Sequence, residues 1–382
     1  MSAAKRGVCL LGLMLCLVLP TGCWNSKDIQ TMAYATALGI DYENGNYITY
    51  VQILNFSNIA KSENNQLGQR IPIWVGRGEG RTLSQSLTSI YSTSQLRLFW
   101  GHVKVVILSE AMMKQGLSNV YDMINRYREI RYNILFYGTD KPLVKLLSQT
   151  SLLNFSPIES LLARPEQFYS QKSLILPVYG YKFIADLNES SNSTLLPSLT
   201  LNNGVWNEDQ KKIPLYEING AYFFNHHRYT AWMSQDDLKG ARWLQTKLER
   251  SPLEVPKANP LATLILEDPR YTIDARSVGG KIRFSISLKL DAFLDEIREQ
   301  ATQAEIQTAA QNEVKNELTD SFRKGLRKNV DVLKLSETLY RKHPDLWKKH
   351  FKGKEFPLDS DSIEKIEVKV HVIHSGKYKQ RK

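Results

Sequence analysis

The sequence predicts a mixed α/β and α+β protein of several domains: an N-terminal sheet-and-helix region, then a C-terminal antiparallel sheet packed on a long helix. Three observations predict it. Strand-like and helix-like periods alternate between residues 71 and 137, the order of an α/β layer. Strict two-residue alternation returns at Ile282, Phe284, Ile286, Leu288 and Leu290, which puts one face of a strand in a core. After it, Val314, Leu318, Phe322 and Leu326 recur every four residues, the stripe of a helix buried along one side.

The first strands flank an Asn44-Gly45-Asn46 turn. Residues 33–41 pair with a segment in which Tyr47, Thr49, Val51 and Ile53 share one face. Residues 55–70 are polar and aperiodic and read as a loop. A strand at 71–76 follows, then a helix over 82–93 with Leu83, Leu87, Ile90 and Tyr91 on its buried face. The glycines of Gly76-Arg77-Gly78-Glu79-Gly80 read as a flexible entry to that helix, since a P-loop needs a following Lys-Ser or Lys-Thr. Next come a strand at 103–108, an amphipathic helix at 116–128 and a strand at 132–137. Residues 142–170 read as helical, interrupted by Pro157 and Pro165.

Between 186 and 214 the chain turns polar, with one short strand at 195–201. This is the best boundary in the sequence. Beyond it, 217–224 and 228–233 form a hairpin around Asn225-His226-His227, and two strands meet at Val278-Gly279-Gly280. The long helix is expected over 294–327, with Asp295-Glu296 on its exposed side. Ile366, Val368, Val370 and Val372 alternate in a last strand. The expected organisation is a signal peptide at 1–22, an N-terminal region at 23–190 with room for two subdomains, a linker-like stretch at 191–214, a C-terminal α+β domain at 215–376 and a basic tail at 377–382.

The N-terminus carries the clearest chemistry. Lys5 and Arg6 precede an apolar run from Val8 to Leu19, and Thr21 and Gly22 follow it. That run falls short of the roughly 20 residues a membrane helix needs, and its order of basic, apolar and small residues is that of an export signal. All three cysteines, Cys9, Cys16 and Cys23, lie within this segment. Cleavage before Cys23 leaves one cysteine as the first mature residue. Leu19-Pro20-Thr21-Gly22-Cys23 resembles a lipobox, with Pro20 where that motif usually has Leu, and a thiol there is what a bacterial lipoprotein modifies with diacylglycerol. Two acyl chains give stable attachment. The competing reading, an ordinary cleaved signal that ends on a cysteine, leaves the lack of any downstream cysteine unexplained.

Net charge is +11, and without Lys5 and Arg6 the chain holds 48 basic against 39 acidic residues. Residues 321–382 alone hold 17 against 8, so the rest is balanced. A basic end on a tethered protein suits anionic head groups, an acidic partner or plain solvation. Export argues against nucleic acid.

No catalytic constellation emerges. The adjacent His226 and His227 point in different directions, and Asp236-Asp237 reads as the acidic start of a helix at Leu238. We expect no enzyme activity, no metal and no cofactor.

Gly22-Cys23-Trp24, Ala37-Leu38-Gly39-Ile40-Asp41, Gly101-His102-Val103-Lys104-Val105-Val106-Ile107 and Gly116-Leu117 stand in this order along the chain. Together they resemble one family, the Ger(x)C lipoproteins, GerAC-like C subunits of nutrient germinant receptors in endospore-forming bacteria. Arg126-Tyr127-Arg128-Glu129-Ile130-Arg131 continues the set, with Tyr127 where the family usually has an acidic residue. Gly220-Ala221-Tyr222-Phe223-Phe224, Asp320-Ser321-Phe322-Arg323-Lys324-Gly325, Trp347 and the valine strand follow in order. Lys239-Gly240-Ala241-Arg242-Trp243-Leu244 departs from the commoner Arg-Gly pairing.

The resemblance implies a non-enzymatic subunit anchored by lipid on Cys23 to the outer face of the spore inner membrane or cell membrane. It also implies assembly with an integral-membrane A subunit and a transporter-like B subunit, in a complex that answers nutrients with ion and dipicolinate release. Arg126 and Arg131 are the candidate partner contacts, because arginine suits bidentate recognition; a helix-end salt bridge is the alternative. A different class of function also fits export and few cysteines: a lipid-anchored solute-binding protein of an importer, with two α/β lobes about a hinge. An exported hydrolase needs converging carboxylates, which the spacing does not supply.

Overall fold

The structure, a computed structural model, describes residues 7, 32–54, 72–189, 193–256, 261–353 and 356–374. Cys23, the signal segment, the 55–70 loop and the basic tail at 377–382 lie outside the described residues.

Strands β1 (Met32–Glu43) and β2 (Asn46–Leu54) form the expected hairpin, with Glu43 opposite Asn46. A bulge between Ala35 and Ala37 shifts the alternation of β1 by one residue. Ala33 and Ala35 therefore share a core with Leu38 and Ile40, while Ala37 faces the other side.

β3 (Trp74–Gly80) pairs with β2 and takes in the glycine-rich segment that the sequence suggested as a helix entry. The reason is close packing. Helix α1 (Leu83–Ile90) lies directly on β3, and a Cβ on Gly78 would collide with the Ser86 carbonyl. Thr82 caps α1 by accepting from the Gln85 N–H at 3.1 Å, and Gln85 Oε1 accepts in return from the Arg81 N–H at 3.0 Å.

β4 (Arg97–Phe99), β5 (Val105–Ser109) and β6 (Leu135–Thr139) are parallel to β1, directly or through β5. Between them lie α2 (Glu110–Gln115), capped by Ser109, and α3 (Ser118–Arg126). Helix α4 (Leu143–Leu147) covers the opposite face, so β5 is buried on both sides and reads as a continuous apolar run. Short pieces follow, including α5 (Pro165–Tyr169), and then α6 (Gly180–Asn188).

Residues 193–225 correct the linker-like reading of 191–214. β7 (Ser193–Glu208) and β8 (Lys211–Asn225) form a long hairpin, with β9 (Arg228–Ser234) beside it, completing a nine-stranded sheet. The outer end of β7, from Gly204 to Glu208, is exposed on both faces and pairs only with β8. An arm wetted on both sides needs no apolar alternation, which is why it reads as a linker.

The second sheet orders β10 (Ser251–Val255), β11 (Ala262–Val278), β12 (Lys281–Ile297) and β13 (Ile363–His374). The first three are antiparallel. β13 joins parallel to β12, because the chain crosses back through α7 (Gln303–Arg327), α8 (Leu335–Lys342) and α9 (Pro344–His350). Helix α7 starts later than the expected residue 294: β12 continues in register with β11 to Ile297, which puts Asp295 and Glu296 at a strand end. Its true start is a capping box between Thr302 and Glu305.

Ile306, Ala310, Val314, Leu318 and Phe322 of α7 are buried in the main C-terminal core. That core also holds Ala221 and Phe223 of β8, whereas Tyr222 and Phe224 enter the N-terminal core. One strand thus serves two cores. A solute-binding architecture asks for two α/β lobes about a hinge; here the halves share β8, and the second sheet is mostly antiparallel.

Candidate functional site

Strands β1, β4, β5 and β6 run in the same direction, so the segments that precede them meet at one end of the sheet. Met32 lies beside Arg97, the Lys104 N–H donates to the Thr36 carbonyl at 2.9 Å, and the Leu135 N–H donates to the Lys104 carbonyl at 2.7 Å. An aromatic knot ties these segments together. Trp100, buried at 2 % exposure, donates from Nε1 to Tyr91 Oη at 3.0 Å, and Tyr91 Oη lies 3.1 Å from Tyr127 Oη. The Trp100 and Tyr127 rings meet edge to face at 5.9 Å, and the Trp100 N–H donates to Glu129 Oε2 at 3.3 Å. Tyr127 therefore acts as a packing and hydrogen-bonding residue.

Around this knot the rim is basic. Arg97, Lys104, Arg126, Arg128 and Arg131 are all exposed. Arg126 closes α3 and reaches Asp122 one turn back at 4.0 Å, with both side chains mostly in water, so the pair is weak. Arg131 stands in the turn before β6. Burial, then the charges of Arg131 and Lys104, hold the His102 imidazole below its usual pKa. Those two cations and His102 are therefore neighbours. The structure brings Arg126 and Arg131 to the same end of the sheet. It adds Arg97, Lys104 and Arg128, which the motif reading passed over. A signal was present, since each basic segment directly precedes a strand, and parallel strands place such segments together.

The carboxyl end of the same strands differs. Glu43, Glu110 and Asp140 stand there, the last two paired with Lys114 at 2.6 Å and Lys141 at 2.9 Å, so the charges at that end are mixed, and Asp41 Oδ1 accepts from the Ser109 hydroxyl and from the Tyr42 N–H.

A second arrangement sits between the halves. The 3-10 turn Gly240–Leu244 presses on α7, where a Cβ on Gly240 would strike the Glu317 carbonyl. Arg242 Nη2 donates to both Glu317 oxygens at 3.2 and 3.1 Å, and Trp243 Nε1 donates to Glu317 Oε2 at 2.7 Å. The guanidinium also lies 4.2 Å from the centre of the Trp243 ring. Burial lowers the Arg242 pKa, with Glu317 opposing. This is a buried structural pair, consistent with a turn that must be Gly240-tight.

Close by, a cleft of 410 Å³ opens between β7, β11 and α8, with Leu195, Phe223, Tyr271 and Ile273 on its walls. Asp331 lines its floor, fully buried, and accepts from the N–H groups of Leu335 and Ser336 at 3.1 and 2.7 Å. Burial pushes its pKa up to about 6 despite those bonds. Arg341 crosses from α8 to Glu189 at 3.0 Å, tying the C-terminal helices to the end of α6. Among the described residues no group of three or more His, Cys, Asp or Glu is placed to hold a metal, and no helix is long and apolar enough to cross a membrane.

This arrangement is matched along nearly the whole chain. Residues 25–201 match the model of the spore germination protein N-terminal domain, and residues 219–376 match that of the spore germination B3/GerAC-like C-terminal domain. The chain belongs to the GerAC-like family of spore germination proteins. Within that family it is similar to spore germination protein KC of Bacillus subtilis strain 168, at 23% identity over 89% of each chain. Spore germination protein B3 of the same organism is 21% identical over 93% of this chain and 94% of its own. The crystal structure of the GerBC protein shares the fold, with a TM-score of 0.55 over 91% of this chain and all of that one, at 15% identity. The GerAC-like match bears out the family resemblance, and the mixed α+β architecture agrees with the fold expected. The first match ends within β7 and the second begins within β8, so the boundary between them falls in the β7–β8 hairpin, whose second strand serves both cores.

Proposed function

We propose that this protein is the lipid-anchored, non-enzymatic C subunit of a nutrient germinant receptor, held to the outer face of the spore inner membrane through Cys23. It assembles there with integral-membrane A and B subunits. The observation that supports this best is the end-to-end correspondence of both halves with spore germination proteins. Export and the placement of Cys23 after the apolar run add to it. Arg126 and Arg131 are the proposed partner contacts: both are exposed, and the backbone between them is tied to the Trp100 knot, so little backbone freedom is lost there on docking.

The test is nutrient-triggered loss of optical density in spores whose only copy carries Cys23→Ala, with a receptor-independent germinant as control. Nutrient germination is expected to fail while the control response persists. A normal response with protein present, and no redundant receptor, would overturn the anchoring role.

A further inference from the structure

The parallel start of β1, β4, β5 and β6 gathers three exposed cations from separate segments: Arg97 opens β4, Lys104 precedes β5, and Arg128 lies in the turn before β6. Among the described residues none of the three forms an ion pair, and the acidic residue closest in sequence, Glu129, is engaged by the Trp100 N–H. Exposed Leu96 and Tyr132 stand among them, at 45 % and 57 % exposure. A rim of cations with a few apolar and aromatic tips suits the boundary between head groups and acyl chains.

The N-terminal chain leaves from this same end. Met32 pairs with Arg97, and it stands nine residue steps after Cys23. Nine residues span at most about 30 Å when fully extended. A chain fixed at Cys23 in a bilayer must therefore hold this end of the sheet near the surface. The basic C-terminal segment is carried to the same side: the Asp331 N–H donates to Ser193 Oγ at 3.0 Å, where β7 begins, and Arg341 pairs with Glu189 just before it. The carboxyl end, where Glu110 and Asp140 are paired with Lys114 and Lys141, points away.

We propose that the rim formed by Arg97, Lys104 and Arg128 is a membrane-facing surface that binds anionic phospholipid head groups and orients the protein on its bilayer. This rests on the anchoring reading of Cys23. Partners embedded in that bilayer then meet Arg126 and Arg131 in the same plane.

The chain from Trp24 to Lys382, which contains both sheets and lacks acyl groups, is titrated with vesicles of phosphatidylglycerol and phosphatidylcholine, or of phosphatidylcholine alone. Binding is expected with the anionic vesicles only, weakening as salt rises. Each cation contributes roughly fivefold, about 1 kcal/mol, so Arg97→Gln, Lys104→Gln and Arg128→Gln together weaken binding by about 100-fold. The charge-conserving set Arg97→Lys, Lys104→Arg and Arg128→Lys restores it. A tail variant, with Lys377, Lys379, Arg381 and Lys382 changed to Gln, keeps most of the affinity. Equal binding to both vesicle types overturns the proposal, as does loss of binding in the tail variant alone. So does a triple Gln variant that binds vesicles normally but no longer assembles with its partner subunits, which would make the rim a protein surface. Mass spectrometry of the native lipoprotein reads acylation of Cys23 separately, so failure of the anchor and failure of the rim are distinguishable.

Discussion

Arg242 is 7 % exposed and bonded to both oxygens of Glu317, whereas Arg126 is 81 % exposed and reaches Asp122 only at 4.0 Å. Both stand in segments that resemble family motifs, and side-chain chemistry alone does not separate them. Environment does. A buried guanidinium must be paired or its desolvation is uncompensated, so Arg242 is committed to holding the 3-10 turn on α7. Arg126 and its neighbours keep their hydration and their donors, and can give them up to something outside the chain. The difference teaches where to look for a surface that meets something outside the chain: among the charges that the fold positions but does not use.

The largest effect expected lies on the buried side. Arg242→Ala leaves Glu317 charged and without its main partner, and should lower stability by about 3–5 kcal/mol, read from urea unfolding. A loss near zero would mean that water reaches Glu317, and the comparison would collapse.

Asp331 sharpens it from the acid side. Its pKa is raised from 3.8 to about 6 in the folded protein, so the folded state binds a proton more readily than the unfolded chain. That contribution is present in full below about pH 4 and is lost as pH rises through about 6, on the order of 2–3 kcal/mol in all. In Asp331→Asn the corresponding slope between pH 4 and 6 should vanish. Unfolding midpoints of both proteins at several pH values measure the difference; parallel curves would refute the raised pKa.

Gly240→Ala comes next. Its Cβ meets the Glu317 carbonyl, so the turn must lift from α7, at a cost of about 1–3 kcal/mol. A crystal structure of the variant should show the Arg242–Glu317 distance lengthened.

The smallest stability effect is expected on the exposed side. Arg126→Ala with Arg131→Ala should leave the unfolding midpoint where it is, because neither side chain is buried. The same pair should reduce co-purification with the A and B subunits. An unchanged complex would remove both arginines from the partner surface.

Local pattern was enough for much of the fold. The hairpin around Asn44-Gly45 and the helix capped by Thr82 stand where their signals put them, since each is decided by a turn or cap within a few residues. The start of α7 was equally legible through the Thr302–Glu305 capping box, but a reading based on apolar spacing ran the helix back into β12. Gly76 to Gly80 and the arm at 204–208 were not legible. One is a strand because a helix presses on its glycines, and the other because a partner strand supplies its hydrogen bonds. Arg126 and Arg131 were visible as a motif. Arg97, Lys104 and Arg128 became a group only when their strands were known to be parallel.

The sequence by itself determined the family, the alternating strands and the long helix, because each is written in neighbouring residues or in the order of motifs. Tertiary structure alone decided that β8 serves two cores, that β13 runs parallel to β12, that Arg242 is sealed against Glu317, and that cations distant in sequence share one rim. Those are relations between segments far apart in the chain, set by which faces must be covered and which directions the strands must take, and no local period carries them.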